Sequence, residues 1–390
     1  MRETTAPPMI ARDGYPALFE LLWPRGAAAI SQIDWPALDR MAGQHRLRPL
    51  LAKRMQAIPE PFASEWTEAS QRSALRALGQ RAELVRIDRL FAAEGIPTVA
   101  LKGSAIVWRG WIEPELRPMR DLDLLVPAEQ ALAAHALLRA KGFTGRAATE
   151  LNADKHLPGL TSPDNVHVEV HTHLVDPINA EWTERDEAWR ARALTRLDRS
   201  AGFATLCSAD TLLHVVVHAV LDHQFNNGPL LLLDIELLVR HGAIDWDWFW
   251  QQADGIAAVP ACQIALRLAE DRIPGVVVDW RGHAPTDLAP EVLRDAAAMM
   301  LVDMARLSEL GAAGRVARLP GGDRLQSLRR MIARAANRPA PGLDAPPRLA
   351  RLASLIGRYL SVALRGSERR HVQRSLAVAK WLREADKSRR

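Results

Sequence analysis

The stretch Arg120-Asp121-Leu122-Asp123-Leu124-Leu125-Val126 decides the fold of this 390-residue chain. Two aspartates are separated by one leucine, and an unbroken apolar run follows them. A strand is predicted over residues 122–126, and successive side chains of extended backbone point to opposite faces. Asp121, just before that strand, and Asp123 would therefore lie on one face, with Leu122 and Leu124 on the other. Two like charges side by side are unfavourable unless a cation lies between them. The stretch therefore predicts a buried strand at a cation site.

An apolar run precedes this stretch along the chain. Residues 96–101 favour a buried strand, Lys102-Gly103-Ser104 interrupts it, and residues 105–111 favour a helix. Glycine lets a backbone approach a phosphate closely, while the serine hydroxyl and the lysine charge could bind the same anion. An ordinary strand-to-helix turn with an N-capping serine would use the same three residues. The segment is thus compatible with a phosphate loop but does not require one.

A third acidic residue follows on a later predicted strand. Residues 166–171 alternate as a strand does, and Glu169 lies between two valines. Such an acid either faces solvent on an edge strand or faces a functional cleft. In a cleft it would complete a set of three carboxylates with Asp121 and Asp123, and Mg²⁺ prefers carboxylate oxygens. With a helix predicted over residues 128–141, strands and helices alternate as in a small α/β unit.

Helical patterns flank this unit on both sides. We expect an N-terminal helical region over residues 1–95, a core over 96–204 and a larger C-terminal helical region over 205–390. Near the start, Asp34-Trp35-Pro36 is typical of a helix N-terminus. The last apolar residues before the core recur at helical spacing and end at Gly95, which predicts a helix there: Leu75, Leu78, Ala82, Val85 and Leu90.

Composition limits the class of protein. The formal net charge is +5, and the last forty residues are rich in Arg and Lys, which favours either an anionic partner or a solvated helical face. Cys207 and Cys262 lie far apart, which fits a reducing compartment better than a disulfide framework. Residues 1–8 lack the apolar core of an export signal. We therefore expect a cytoplasmic protein that does not insert into membranes.

The motifs together resemble a known family. The order of hydrophobic strand, Gly-Ser turn, acid-x-acid strand and a further acid is similar to the DNA polymerase β-like nucleotidyltransferase superfamily. More narrowly, Leu101-Lys102-Gly103, residues 116–126, Val168-Glu169-Val170-His171 and the histidines at 214 and 218 resemble the bacterial family of uncharacterised nucleotidyltransferases. Asp234 adds to this likeness. The resemblance implies an α+β fold, in which a small nucleotidyltransferase-type mixed sheet with flanking helices is embedded between the two helical regions.

The resemblance also implies an activity and its residues. The enzyme would move a nucleoside monophosphate from an NTP to an unidentified acceptor with release of pyrophosphate, by two-metal phosphoryl transfer. Its Mg²⁺ ions, or Mn²⁺ in their place, would be held by the catalytic residues Asp121, Asp123 and Glu169. The acceptor could be a small molecule, a peptide or protein, or an RNA. Five residues would bind the nucleotide: Lys102, Gly103, Ser104, Arg117 and Arg120.

Two alternatives remain open from the sequence. His214 and His218 share a helix face and lie near Asp222 and His223, a spacing that could bind zinc or iron, although helix histidines more often pack or form hydrogen bonds. A protein of a different class would be an assembly factor that keeps the nucleotidyltransferase fold and binds nucleic acid or protein through its basic C-terminal helices.

Overall fold

The structure of this chain is a computed structural model that describes residues 15–24, 33–151, 154–176, 180–302 and 366–389. The chain divides into two compact units, residues 1–223 with 229–285 and residues 224–228 with 286–390. The strands are β1 (Val99–Ala100), β2 (Asp121–Leu125), β3 (Thr144–Gly145), β4 (Leu160–Thr161), β5 (His167–His171), β6 (Leu197–Asp198) and β7 (Thr205–Leu206). The helices are α1 (Tyr15–Leu22), α2 (Trp35–Gln44), α3 (Arg48–Arg54), α4 (Phe62–Ala93), α5 (Lys102–Val107), α6 (Ala128–Ala140), α7 (Ala180–Ala193), α8 (Ser208–Val217), α9 (Leu230–His241), α10 (Trp246–Gly255), α11 (Val259–Arg272), α12 (Pro290–Met300) and α13 (Gly366–Arg389).

All the described strands join one mixed sheet in the order β3-β4-β5-β2-β1-β7-β6. The two longest strands, β2 and β5, run parallel at its centre, and β1 pairs antiparallel with β2. Leu122 and Leu124 lie on the buried face of β2, and Val168 and Val170 lie beside them on β5 in the same apolar core. This arrangement confirms the expected α+β fold with a mixed sheet and flanking helices.

The strand before the phosphate-loop candidate is shorter than the sequence predicts. Only residues 99–100 of the expected 96–101 pair with β2. Pro97 has no N–H to donate to a neighbouring strand, which explains the late start. One further hydrogen bond joins the two segments, from the Leu101 N–H to the Asp123 carbonyl at 2.9 Å. The chain then turns at Lys102, whose φ is 50°. The following helix therefore covers residues 102–107 rather than the expected 105–111.

The long helix α4 leaves several apolar residues of the predicted helical pattern exposed. Leu75 and Leu78 are 70% and 64% exposed, and Ala82 is exposed as well. The buried positions instead include Ala77, Gln80, Glu83, Leu84, Ile87 and Phe91. Two apolar stripes compete on this helix, and the one that contains Phe91 packs into the core of the first unit. The helix predicted from this spacing is present, but Leu75 and Leu78 lie on its exposed side.

The start of α2 is predicted well. The Asp34 side chain accepts a hydrogen bond from the Ala37 backbone N–H at 3.0 Å, and Pro36 lies in the first turn of α2. This is the N-capping geometry that Asp34-Trp35-Pro36 predicts, because an aspartate oxygen satisfies one of the free N–H groups at a helix start.

In the second unit, α12 and α13 pack together. Arg374 Nε lies 3.5 Å from Asp295 Oδ1, and Trp381 Nε1 donates to the Asp287 carbonyl at 3.0 Å. Part of the basic charge at the chain's end is therefore paired within this unit, whereas residues 351–365 of the basic segment lie outside the described residues. No described helix combines the length and the apolar character that a membrane span requires.

Candidate functional site

The site begins with the register between β2 and β5. Asp123 lies directly beside Glu169, and Asp121 lies beside His167. Since side chains alternate along both strands, the acids at 121, 123 and 169 share the face opposite the core leucines and valines. His171 lies two residues beyond Glu169 and so shares that face too. The register thus brings the three acids predicted from the sequence to one surface of the sheet, together with histidines.

The carboxylate of Asp123 is buried and contacts an ammonium group and an imidazole ring. Lys102 Nζ donates to its Oδ1 at 2.7 Å, and His171 Nε2 lies 2.8 Å from the same oxygen. Burial raises the pKa of Asp123, but the adjacent Lys102 ammonium and His171 hold that pKa well below its ordinary value. Burial lowers the pKa of Lys102, and the attraction of the nearby carboxylates more than reverses this, so that its pKa is raised. Asp123 therefore stays ionised.

Glu169 is surrounded by imidazoles. Its Oε2 lies 3.5 Å from His171 Nε2 and 3.6 Å from His156 Nε2, and its Oε1 lies 4.0 Å from His167 Nε2. Burial raises the pKa of Glu169, but the hydrogen bond from His171 and the nearby His156 bring it below its ordinary value. His156 belongs to a segment that the sequence does not mark as functional, and it reaches the site through a bridge to His171 on β5.

Asp123, Glu169 and His171 form a candidate metal-binding group. One ligating atom from each lies within 4.8 Å of the others. Asp121 is half-buried outside this group, and burial together with repulsion from Asp123 and Glu169 raises its pKa. The sequence indicates three carboxylates, whereas the close cluster contains two carboxylates and an imidazole. The sequence analysis includes His171 only as the last residue of the Val168-Glu169-Val170-His171 motif and gives it no role at the site.

The predicted phosphate loop is packed in the first turn of α5. Gly103 and Ser104 are buried, and the Ser104 hydroxyl lies 3.7 Å from Met119 Sδ. A Cβ added to Gly103 would lie 2.5 Å from Arg117 Nη1 and 2.9 Å from Met119 Cγ. This glycine therefore makes room for the arginine. Nothing in this packing tests whether Gly103 and Ser104 bind phosphates, and that role stays a prediction.

The predicted arginines occupy different environments. Arg117 donates from Nε and Nη2 to both oxygens of Asp234 on α9, at 2.8 and 2.6 Å. Arg120 is exposed. Arg46, which the sequence does not single out, donates to the Pro118 carbonyl at 3.1 Å, and burial together with repulsion from Arg120 and Arg117 lowers its pKa to about 9. These guanidinium groups form a positive region near Asp121.

The helix histidines His214 and His218 are not members of the metal-binding group. A π-helical turn at His218–Asp222 continues α8, and His218 Nδ1 lies 3.2 Å from Asp222 Oδ2. The buried Lys155 ammonium donates to the same Asp222 oxygen. Burial and the nearby Lys102 lower the pKa of His214 to about 3, and both its ring nitrogens are buried with no partner among the described residues. No metal-binding group in the described part of the chain includes His214 or His218.

Comparisons with known proteins support the assignment of this site to one family. No protein in the curated set matches the chain significantly. A family model described as "Uncharacterised nucleotidyltransferase" matches residues 31–274, which is more than half of the chain and includes β2, β5 and α9. Membership of such a family supports nucleotidyl transfer as the general activity. The chain therefore belongs to the family of uncharacterised nucleotidyltransferases.

Proposed function

We propose that this protein is a Mg²⁺- or Mn²⁺-dependent enzyme that transfers a nucleoside monophosphate from an NTP to an acceptor hydroxyl and releases pyrophosphate. The observation that carries the proposal is the close group of Asp123, Glu169 and His171, with Asp121 on the same face of adjacent parallel strands. The family assignment and the resemblance to the DNA polymerase β-like superfamily support the same chemistry.

The acids are the groups that would hold the metal. Asp123 and Glu169 remain ionised because cations and imidazoles lie beside them, and Asp121 adds a third carboxylate whose raised pKa would fall on contact with a cation. A bound divalent ion would neutralise phosphate charge and lower the pKa of the acceptor hydroxyl. Carboxylates as the main ligands fit the preference of Mg²⁺ for oxygen.

The remaining side chains have roles that follow from their charge. Glu169 would accept the proton of the acceptor hydroxyl as its oxygen bonds to the α-phosphorus, while the bond from that phosphorus to the bridging oxygen breaks and pyrophosphate leaves. Arg120 and Arg46 would offset the charge of the triphosphate, since they form part of the positive region beside Asp121. Lys102 would join them once a metal ion replaces it at Asp123. Gly103 and Ser104 would bind the phosphates, and Arg117 would keep its contact with Asp234.

The test is incubation of the full chain with each labelled NTP, Mg²⁺ or Mn²⁺, and a cell lysate that supplies acceptors. Asp121→Asn and Asp123→Asn are each expected to lower label transfer by about a hundredfold or more, because each removes a charge that phosphoryl transfer requires. Asp164→Asn, at an exposed turn, is the matched control and should leave transfer unchanged. Full activity of either site variant with every NTP would refute the site. RNA binding that persists in both variants without any transfer would favour the assembly-factor alternative.

A further inference from the structure

His171 is an unusual residue for a site built on carboxylates. Its side chain is fully buried, at 0% exposure, and its Nε2 points between Asp123 and Glu169. Its other ring nitrogen, Nδ1, is buried with no partner among the described residues. All the polar contacts that the structure gives this ring therefore involve Nε2, the nitrogen that shares the cation site with the two acids.

The separations within this group fit direct ligation by the imidazole. His171 Nε2 lies 2.8 Å from Asp123 Oδ1 and 3.5 Å from Glu169 Oε2. Ligand atoms that lie about 2.1 Å from one ion are typically about 3 to 3.5 Å apart from one another. An ion that displaces the Lys102 ammonium from Asp123 Oδ1 could therefore be shared by the two carboxylates and the ring nitrogen with only small movements of those three side chains.

A second imidazole, that of His156, lies beside Glu169 and His171. The His156 ring centroid lies 5.1 Å from that of His171, and its Nε2 is 3.6 Å from the Glu169 oxygen that also faces His171. Mg²⁺ prefers oxygen ligands. Nitrogen ligands instead strengthen the binding of the divalent first-row transition ions, and Mn²⁺ is the first of these in their order of affinity. A group of two carboxylates and an imidazole therefore discriminates against Mg²⁺.

We propose that His171 Nε2 is a direct metal ligand and that the site binds a first-row transition ion, represented by Mn²⁺, in preference to Mg²⁺. This inference rests on the proposed function for the presence of a cation at Asp123 and Glu169. It adds the chemical class of that cation and the residue that selects it. The competing possibility is that His171 only donates a hydrogen bond to Asp123 and never contacts the ion.

The experiment measures metal binding by the full chain without nucleotide. Protein labelled with ¹⁵N-histidine is loaded with Mn²⁺, and electron spin echo modulation detects any nitrogen bound to the ion. We expect nitrogen modulation in the wild type and its loss or strong reduction in His171→Gln, whose amide can still donate to Asp123. Mn²⁺ affinity should fall by about tenfold or more, whereas Mg²⁺ affinity should change by less than about threefold. His173→Gln, outside the metal-binding group, is the matched control.

Two outcomes would overturn the inference. One is a wild-type Mn²⁺ spectrum without histidine nitrogen, and this result requires no variant to fold. The other is a folded His171→Gln protein with unchanged nitrogen modulation and an unchanged preference for Mn²⁺ over Mg²⁺. In either case, Mn²⁺ binding that disappears in Asp123→Asn would leave the proposed function intact, so the two failures are distinguishable.

Discussion

At the scale of single residues, Lys102 is a tethered counter-ion for the acidic face. Its ammonium lies 2.7 Å from Asp123, and attraction to Asp121 and Glu169 also raises its pKa. A metal ion at these acids would compete with it for the same charge. The lysine would stabilise the protein before the metal binds and would be free to approach an anionic substrate afterwards. Its backbone φ of 50° is uncommon for a residue with a side chain.

Replacing Lys102 with methionine should therefore have opposite effects on stability and on metal binding. We expect the free energy of unfolding without metal to fall by on the order of 3 kcal/mol, because Asp123 loses one of its two partners in a buried site. Mn²⁺ should bind more tightly, since no ammonium has to be displaced. Urea unfolding with and without Mn²⁺ measures both effects. Lys53→Met is the control, because Lys53 pairs with Glu113 at the surface, where such pairs contribute about 1 kcal/mol or less. Equal responses of the two variants would contradict this role for Lys102.

Asp186 gives a pH-dependent prediction away from the site. Its Oδ1 accepts hydrogen bonds from the backbone N–H groups of Leu174 and Val175 at 2.9 and 3.0 Å, and burial raises its pKa from 3.8 to about 6. The folded protein thus retains a proton here that the unfolded chain loses. The stability from this group is fully present below about pH 4 and is lost as the pH rises through about 6.

The change Asp186→Asn removes this dependence. Between pH 4.5 and 7.5, the stability of the variant relative to the parent should rise by on the order of 2 kcal/mol, as measured by urea unfolding. Asp164→Asn, on an exposed turn, should show a difference that does not vary with pH. A flat difference for Asp186→Asn as well would mean that this carboxyl is already ionised in the folded protein throughout the range.

At the scale of elements, α4 shows what a sequence pattern can and cannot determine. Its helical character was predicted from the sequence, but its apolar residues lie on more than one face, and only packing selects the buried one. The strands β2 and β5 were predictable because polar and apolar residues alternate over residues 121–124 and 167–171, which leaves one apolar face along each segment. The contacts of Arg117 with Asp234 and of His156 with Glu169 were not, because they depend on how distant segments meet.

The two faces of α4 should respond differently to the same chemical change. Leu84→Ala removes a side chain that is 1% exposed in the core and should lower the free energy of unfolding by about 2 to 5 kcal/mol. Leu78→Ala, at 64% exposure on the same helix, should change it by less than about 0.5 kcal/mol. Urea denaturation of both variants makes the comparison. A large loss at Leu78 would mean that this face is covered in the folded protein.

At the scale of the whole molecule, the sheet order relates metal binding to the stability of the first unit. β2 and β5 lie at the centre of the sheet, whereas β3 and β6 lie at its edges. Central strands exchange their amide hydrogens only when much of the sheet opens, but edge strands open locally. A ligand that binds only the folded site stabilises it by about 2.7 kcal/mol at a hundred times its Kd.

Hydrogen exchange should therefore respond unevenly to Mn²⁺. At a hundred times the Kd, we expect the amides of β2 and β5 to exchange about a hundredfold more slowly, while those of β3 and β6 change little, because edge opening leaves the metal site intact. Mass spectrometry of peptides that cover residues 121–125, 144–145, 167–171 and 197–198 measures the difference. Asp123→Asn should abolish the protection. Slowing of the edge strands alone, or no slowing in β2 and β5, would place the bound ion away from the acids at the centre of the sheet.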